Sequence, residues 1–297
     1  MPGEREDLQV TAPGRAAVFG QPIGHSKSPA LHRAAYAELG VEIEYGAIDA
    51  GASEAGRLAE MLRTEPGWRG ASVTMPLKQA MVAHMDGISD RVRHLGVLNT
   101  VVVSGSPGSI HLQGENTDVE GIVRALTDAG ATHVDRVAVL GAGGTASAAT
   151  AALHVLGASH LDFIVRNPDR ASGVIELASG WGCTAEAIDA ATAAARMHGY
   201  DAVVSTLPPH AADGLAPQLG LGSLRVGTAL LDVAYDPWPS ALGSAWSAAG
   251  GSVVGGLSML LHQAVEQVRL FTGNPGADWP QVTNVMCDAV GLPHPNR

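Results

Sequence analysis

Val137-Ala138-Val139-Leu140, followed by Gly141-Ala142-Gly143-Gly144-Thr145-Ala146, most restricts what this chain can become. Four consecutive apolar residues have the run of a parallel strand buried on both faces. Gly-x-Gly-x-x-Ala then turns that strand into a helix. Gly141 allows the tight turn, Gly143 lets the backbone approach a pyrophosphate, and Ala146 permits close helix–sheet packing. The first amides of that helix have no intrahelical partners and suit phosphate. A tight strand–helix turn without a ligand has the same letters. The stretch predicts a Rossmann-type unit with Gly141, Ala142, Gly143, Gly144, Thr145 and Ala146 as its cofactor loop. It begins only at residue 137 of 297, so a different unit occupies the front of the chain.

The second strand of such a unit is expected at Leu161–Val165. An NAD site would then present Asp or Glu to the ribose 2′-hydroxyl. This chain has Val165-Arg166-Asn167-Pro168-Asp169-Arg170 instead. The guanidinium groups of Arg166 and Arg170 suit a 2′-phosphate, which points to NADP(H), although an exposed basic turn reads the same way. Tyr200–Ser205, Ala229–Ala234 and Ser252–Val254 are expected as further buried strands. Asp236-Pro237-Trp238-Pro239 is a stiff turn. Leu257–Thr272 has helical apolar spacing, with Met259 and Gln263 neighbours at i, i+4. A last helix is expected near Pro280–Val290.

In the front unit, Ala16–Phe19 is a short strand, and Gly24-His25-Ser26-Lys27-Ser28-Pro29 follows. Ser28 reads as an N-cap with Pro29 at N1 of a helix that Gly40 ends. The hydroxyls of Ser26 and Ser28 beside a helix N-terminus equally suit a carboxylate. A strand over Glu42–Ala47 and a helix over Ser53–Thr64, capped by Ser53, come next. Ser72-Val73-Thr74-Met75-Pro76-Leu77-Lys78 runs from a strand into a helix with Lys78 in its first turn. A lysine there is ordinarily a solvated charge, yet it is mildly disfavoured at the positive helix end, which hints at a role. Val97–Val103 and Ile110–Gln113 form a hairpin around a long loop, Ser104–Ser109. The hairpin delivers Asn116-Thr117-Asp118 to the head of a helix reaching about Ala129, where Thr117 or Asp118 is a cap or part of a site.

With 18 basic and 29 acidic side chains the net charge is −11, and no Lys/Arg cluster stands out. That balance argues against nucleic acid or an anionic membrane as partner. Cys183 and Cys287 are too few for a disulfide framework, which fits a reducing cytoplasm. The 12 histidines show no metal-ligand spacing, so no metal is expected. Met1–Arg15 lacks the apolar core of a signal peptide and reads as a frayed tail.

Together, Gly24–Pro29, Ser72–Lys78, Asn99-Thr100, Asn116–Asp118, the Gly141 loop and Gly256-Leu257-x-Met259-Leu260-x-x-Gln263-Ala264 resemble shikimate dehydrogenases, in that family's order and over most of the chain. The resemblance implies an α/β substrate-binding domain, 1–117 completed by 257–297. Across a cleft it faces a Rossmann-type NADP-binding domain, 118–256. It implies reversible reduction of 3-dehydroshikimate to shikimate in aromatic amino-acid biosynthesis, by a monomer or homodimer. Lys78 and Asp118 become the catalytic pair. Ser26, Ser28, Thr74 and Tyr235 are expected at the substrate carboxylate, and Asn99, Asp118 and Gln263 at the ring hydroxyls. Ser205, Gly256 and Met259 join the cofactor residues. Ser72 stands where the family usually has Asn, Gly255 where Asp is usual, Ser205-Thr206-Leu207 for Asn-Ala-Thr, and Val165 for Asn. These departures leave quinate or aminoshikimate open as substrates. A regulatory homologue without turnover is the other class, against which the retained Lys78 and Asp118 weigh.

Overall fold

In the computed structural model, which describes residues 13–106, 108–219, 224–225 and 227–295, the chain builds two six-stranded sheets. The first half supplies β1 (Gly14–Gly20), β2 (Ile43–Asp49), β3 (Trp68–Val73), β4 (Gly87–Ile88), β5 (Thr100–Ser106) and β6 (Ser109–Glu115). They lie in the order β2-β1-β3-β5-β6-β4. β1 is parallel to β2 and β3, whereas β5 is antiparallel to β3 and β6. Helices α1 (Ser28–Leu39), α2 (Ala55–Thr64), α3 (Leu77–Ala80) and α4 (Asp90–Leu95) connect them.

Helix α5 (Asp118–Asp128) carries the chain to the second sheet. There β7 (Arg136–Leu140), α6 (Gly144–Val155), β8 (His160–Val165), α7 (Ser172–Gly180) and β9 (Thr184–Asp189) form the first three strands and their crossovers. β10 (Ala202–Ser205), β11 (Ala229–Asp232), α8 (Ala241–Ala248) and β12 (Ser252–Gly255) complete it. All its pairings are parallel, in the order β12-β11-β10-β7-β8-β9. Val137, Ala138, Val139 and Leu140 are each 0% exposed, as a strand covered by helices on both faces requires. The strand order reverses between β7 and β10, which opens a crevice beyond their carboxyl ends, directly at the glycine loop.

The final helices, α9 (Gly256–Thr272) and α10 (Trp279–Val290), return to the first sheet. Leu261, Val265, Val268, Phe271, Val282 and Met286 share a buried cluster with Val18, Leu31, Tyr36 and Tyr45. Met259, two residues before Leu261 on α9, instead packs in the core around α5 and β7. One helix thus belongs to both cores.

Several local expectations change. Lys27 occupies the N-cap of α1, and Ser28 is its first helical residue with no capping side chain, so the Ser28 hydroxyl is not spent on the helix. The segment Ala52–Glu54 is a 3-10 turn and Ser53 caps nothing; Glu54 instead reaches back to the Gly51 amide at 2.9 Å. The hairpin is longer than expected: Ser106 pairs with Ser109, so most of the predicted loop is strand. Gly14 and Arg15 belong to β1, where Arg15 pairs with Glu65 and stacks on Trp68; the rest of the expected tail lies outside the described residues except Pro13. Strand β9 and helices α7 and α8 have no counterpart in the sequence reading.

Candidate active site

β3 ends at Val73, and the turn through Met75 and Pro76 starts α3, so Lys78 leaves the sheet edge at a fixed point. Its carbonyl accepts from the Leu98 amide at 3.0 Å, tying α3 to the segment that leads into β5. The Lys78 ammonium donates to Asp118 Oδ2 at the head of α5. The two side chains are only 15% and 6% exposed, so each charge depends on the other for compensation.

The other Asp118 oxygen accepts from Asn99 Nδ2 at 2.8 Å. Asn99 can present only its amide nitrogen there, because Asn99 Oδ1 accepts from the Thr117 backbone amide at 2.7 Å and the Thr100 hydroxyl at 2.8 Å. The Asp118 backbone amide is satisfied by Asn116 Oδ1 at 3.1 Å, and the carboxylate oxygens go to Lys78 and Asn99 instead of to the helix. Gln263 accepts from Asn99 Nδ2 at 3.2 Å and donates to Leu260 O at 2.8 Å. Asp118, Asn99 and Gln263 are all buried. Neighbouring polar groups whose orientations are mutually fixed make a rigid site.

These groups line a cavity of about 170 Å³ between the two sheets. Ser28, Ser72, Thr74, Lys78, Asn99 and Asp118 face it from the first half of the chain. Thr145, Val233 and Tyr235 face it from the second, and Gly256, Met259, Gln263 and Gln267 from α9. Burial, with Asp236 beside it, pushes the Tyr235 phenol up, so it remains a hydrogen-bond donor. Ser26 is partly exposed and does not line the cavity; its hydroxyl accepts from the Ser28 amide at 3.3 Å. Gln267 went unread in the sequence. Its one signal is a second glutamine, four residues after Gln263, on an otherwise apolar helix face.

Towards the glycine loop, Gly141 has φ of +106°, and a Cβ there would stand 2.7 Å from the Thr206 hydroxyl. Only glycine serves this turn. A Cβ at Gly143 would meet nothing within 4 Å, so the backbone there borders open space. The head of α6 has no side-chain cap and no acidic residue in its first turn, leaving its amides available to an anion. Ala142 is partly buried beside it and Ala146 is fully buried against the sheet. Gly144 lies against Val97, with Lys78 Cδ 3.9 Å from the place of its Cβ, so the loop and the lysine are neighbours. Ser205 Oγ, at the end of β10 across the crevice, is buried with no hydrogen-bond partner among the described residues. Arg166 follows β8 directly, and Arg170 sits in the 3-10 turn Pro168–Ala171; both are exposed and neither is in an ion pair among the described residues. Open backbone, uncapped amides, an unpartnered hydroxyl and two free guanidinium groups fit a dinucleotide that carries an additional phosphate.

Comparison with known proteins gives a consistent result. Residues 18–101 match the family described as shikimate dehydrogenase substrate binding domain, and residues 256–276 the shikimate 5′-dehydrogenase C-terminal domain. The shikimate dehydrogenase (NADP(+)) of Rubrobacter xylanophilus is 38% identical over 260 residues, covering 86% of this chain and 89% of that protein. The pentafunctional AROM polypeptide of Schizosaccharomyces japonicus is 32% identical over 276 residues; the match takes in 88% of this chain but only 17% of that polypeptide. Among solved structures, Mycobacterium tuberculosis shikimate dehydrogenase superposes with a TM-score of 0.80 at 37% identity, over 93% of this chain and 99% of that one. Shikimate 5-dehydrogenase of Thermus thermophilus, in complex with NADP(H) and shikimate, gives 0.74 at 30% identity, over 93% and 99%.

Proposed function

The chain belongs to the shikimate dehydrogenase family, and from that premise we propose that it interconverts 3-dehydroshikimate and shikimate with NADP(H), Lys78 and Asp118 being its catalytic pair. The observation that carries the assignment of the pair is the buried Lys78–Asp118 contact, in the cavity that Thr145 of the cofactor helix also lines.

When bound, NADPH supplies the hydride. A ketone that accepts hydride gathers negative charge on its oxygen, and the Lys78 ammonium is placed to stabilise that charge and to donate the proton. Asp118 orients the lysine and keeps a compensating charge beside it. With Asn99 holding its other oxygen, Asp118 can accept from a substrate hydroxyl without turning away from Lys78. In the reverse direction Lys78, having given up its proton, takes one from the substrate alcohol. Ser28, Thr74 and Tyr235 receive the substrate carboxylate, with Ser26 supporting the Ser28 backbone. Asn99 and Gln263 meet ring hydroxyls, since a buried polyol needs a partner for each polar group.

Gly141 to Ala146, Ser205, Gly256 and Met259 hold the cofactor, and Arg166 and Arg170 its 2′-phosphate. Residues 1–117 with 257–297 are then the substrate-binding domain and 118–256 the NADP-binding domain. The shared buried cluster of α9, α10 and the first sheet supports that division. Two free buried cysteines suit a reducing cytoplasm, and no helix among the described residues is long and apolar enough to cross a membrane.

The test is a matrix of shikimate and quinate against NADP and NAD, run on wild type. Turnover is expected to be best for shikimate with NADP. Turnover of quinate alone, or of neither acid, would overturn the reading.

A further inference from the structure

Gln267 on α9 is 1% exposed and faces the floor of the cavity. Its Nε2 lies 3.1 Å from the Asn99 carbonyl oxygen and 2.9 Å from Thr100 Oγ1. A backbone carbonyl can only accept, so this end of the amide is the nitrogen and its orientation is settled by chemistry. The opposite end, Oε1, lies 2.6 Å from Ser72 Oγ. An amide oxygen cannot donate, so the single Ser72 proton goes to Gln267. Tyr45 OH also lies 2.6 Å from Ser72 Oγ, and with the serine proton committed the tyrosine must be the donor. The Tyr45 phenol is pushed up by burial, consistent with a protonated donor. Ser72 therefore gives one proton, receives one, and keeps a single lone pair.

We propose that Gln267 sets the polarity of the pocket floor by locking Ser72 as a hydrogen-bond acceptor, so that the ligand must bring a hydroxyl donor to this point. The proposal rests on shikimate being the ligand and adds Ser72 and Gln267 to the groups that select it. A carboxylate or keto oxygen facing Ser72 would set two acceptors against each other, which directs the acid end of the ligand elsewhere, towards Ser28 and Thr74. The device is rigid: Tyr45, Ser72, Gln267, Thr100 and Asn99 are all at most 4% exposed.

The experiment measures calorimetric affinities of the full chain, without cofactor, for shikimate and for three analogues in which one hydroxyl at a time is replaced by fluorine. Fluorine keeps the shape and removes the donor. In wild type, the analogue altered opposite Ser72 should bind about 5- to 150-fold more weakly than shikimate, as expected for a buried acceptor left unpaired. In Gln267→Met the serine is free to turn its proton to the ligand, and that one penalty should shrink to within about threefold, the other two staying as they were. Ser72→Ala should erase the same penalty, and being a small deletion it carries the test even if Gln267→Met fails to fold. Penalties for all three analogues unchanged in Ser72→Ala would overturn the inference while leaving shikimate as the ligand. Failure of wild type to bind shikimate overturns the substrate reading and the inference with it.

Discussion

Gly121 on α5 lies so close to Met259 on α9 that a Cβ at position 121 would stand 2.7 Å from the Met259 carbonyl oxygen and 3.0 Å from Gln263 Cβ. The contact sets the distance between Asp118, one turn before Gly121, and Gln263, one turn after Met259. The bare glycine thus fixes the geometry of the cavity although it does not line it.

Gly121→Ala is accordingly expected to force the two helices apart. Overpacking of this kind costs about 1–3 kcal/mol. The sharper expectation is kinetic: kcat/KM should fall at least tenfold at a temperature where the variant is still folded, because Asp118 and Gln263 can no longer meet Asn99 together. Wild-type kcat/KM in a folded Gly121→Ala enzyme would show that the spacing has slack.

Lys78→Ala should lower kcat by roughly two to four orders of magnitude with little change in KM, as for loss of a general acid. It also leaves Asp118 buried and unpaired, so a loss of stability is expected beside the kinetic loss. Lys78→Met refills the space but leaves the Asp118 charge unpaired as Lys78→Ala does, so turnover should be lost in both, and it is judged on protein shown to be folded. A folded Lys78→Met enzyme with near wild-type kcat refutes the assignment.

His32 gives the chain a pH-dependent stability. The ring is fully buried, stacks on Tyr45 with centroids 3.9 Å apart, and places Nδ1 2.9 Å from the Ser28 carbonyl. Burial lowers its pKa from 6.5 to about 4, the Ser28 carbonyl opposing that shift. Between those values the unfolded chain binds a proton that the folded chain refuses. Stability therefore falls as pH drops through 6.5, and the loss is complete near 4, amounting to roughly 3 kcal/mol. Denaturant midpoints from pH 7 to pH 4, in wild type and His32→Phe, measure it. Equal slopes in the two proteins would remove His32 as the cause.

The sequence made the second sheet legible where its physics is local. Val137–Leu140 and Gly141–Ala146 have periodicity and turn chemistry that only a strand, loop and helix satisfy, and they lie where expected. Lys78 and Asp118 were legible only through motif resemblance. Forty residues separate them, and no spacing rule says that a short helix after β3 and the head of α5 share a cavity. Ser72 stands out in the sequence as a departure, but its partners Tyr45 and Gln267 come from positions 27 and 195 residues away. At Gly255 a Cβ would stand 3.0 Å from ring carbons of Trp238, seventeen residues away in sequence. Long-range polar pairing of this kind depends on the folded backbone and leaves no periodic trace. Caps failed for a related reason: Ser28 and Ser53 are good capping residues, but the adjoining loops start those helices one or more residues away.

Arg166 carries the last prediction, cofactor choice. It follows β8 at the point where the ribose 2′-position of a dinucleotide on this sheet belongs, and Arg170 lies one turn on. Asp169, three residues past Arg166, is exposed, and its amide donates to Asn167 Oδ1 at 3.0 Å, which holds the turn in shape; Asp189, opposite Val165 at the end of β9, has Oδ1 taken by the Ala191 amide at 2.9 Å. The end of β8 itself carries no carboxylate for a free 2′-hydroxyl. A charge-assisted hydrogen bond contributes about 1.5–3 kcal/mol, so Arg166→Ala should weaken NADP binding roughly 10- to 150-fold. NAD has no 2′-phosphate and should be nearly indifferent, so the variant should lose its preference and keep turnover with NAD. The contact is exposed, so raising the ionic strength should shrink the wild-type NADP advantage, and should change little in the variant, where the arginine is gone. Equal losses for both cofactors in Arg166→Ala would make Arg166 a structural residue, and the 2′-phosphate would then have to rest on Arg170 alone.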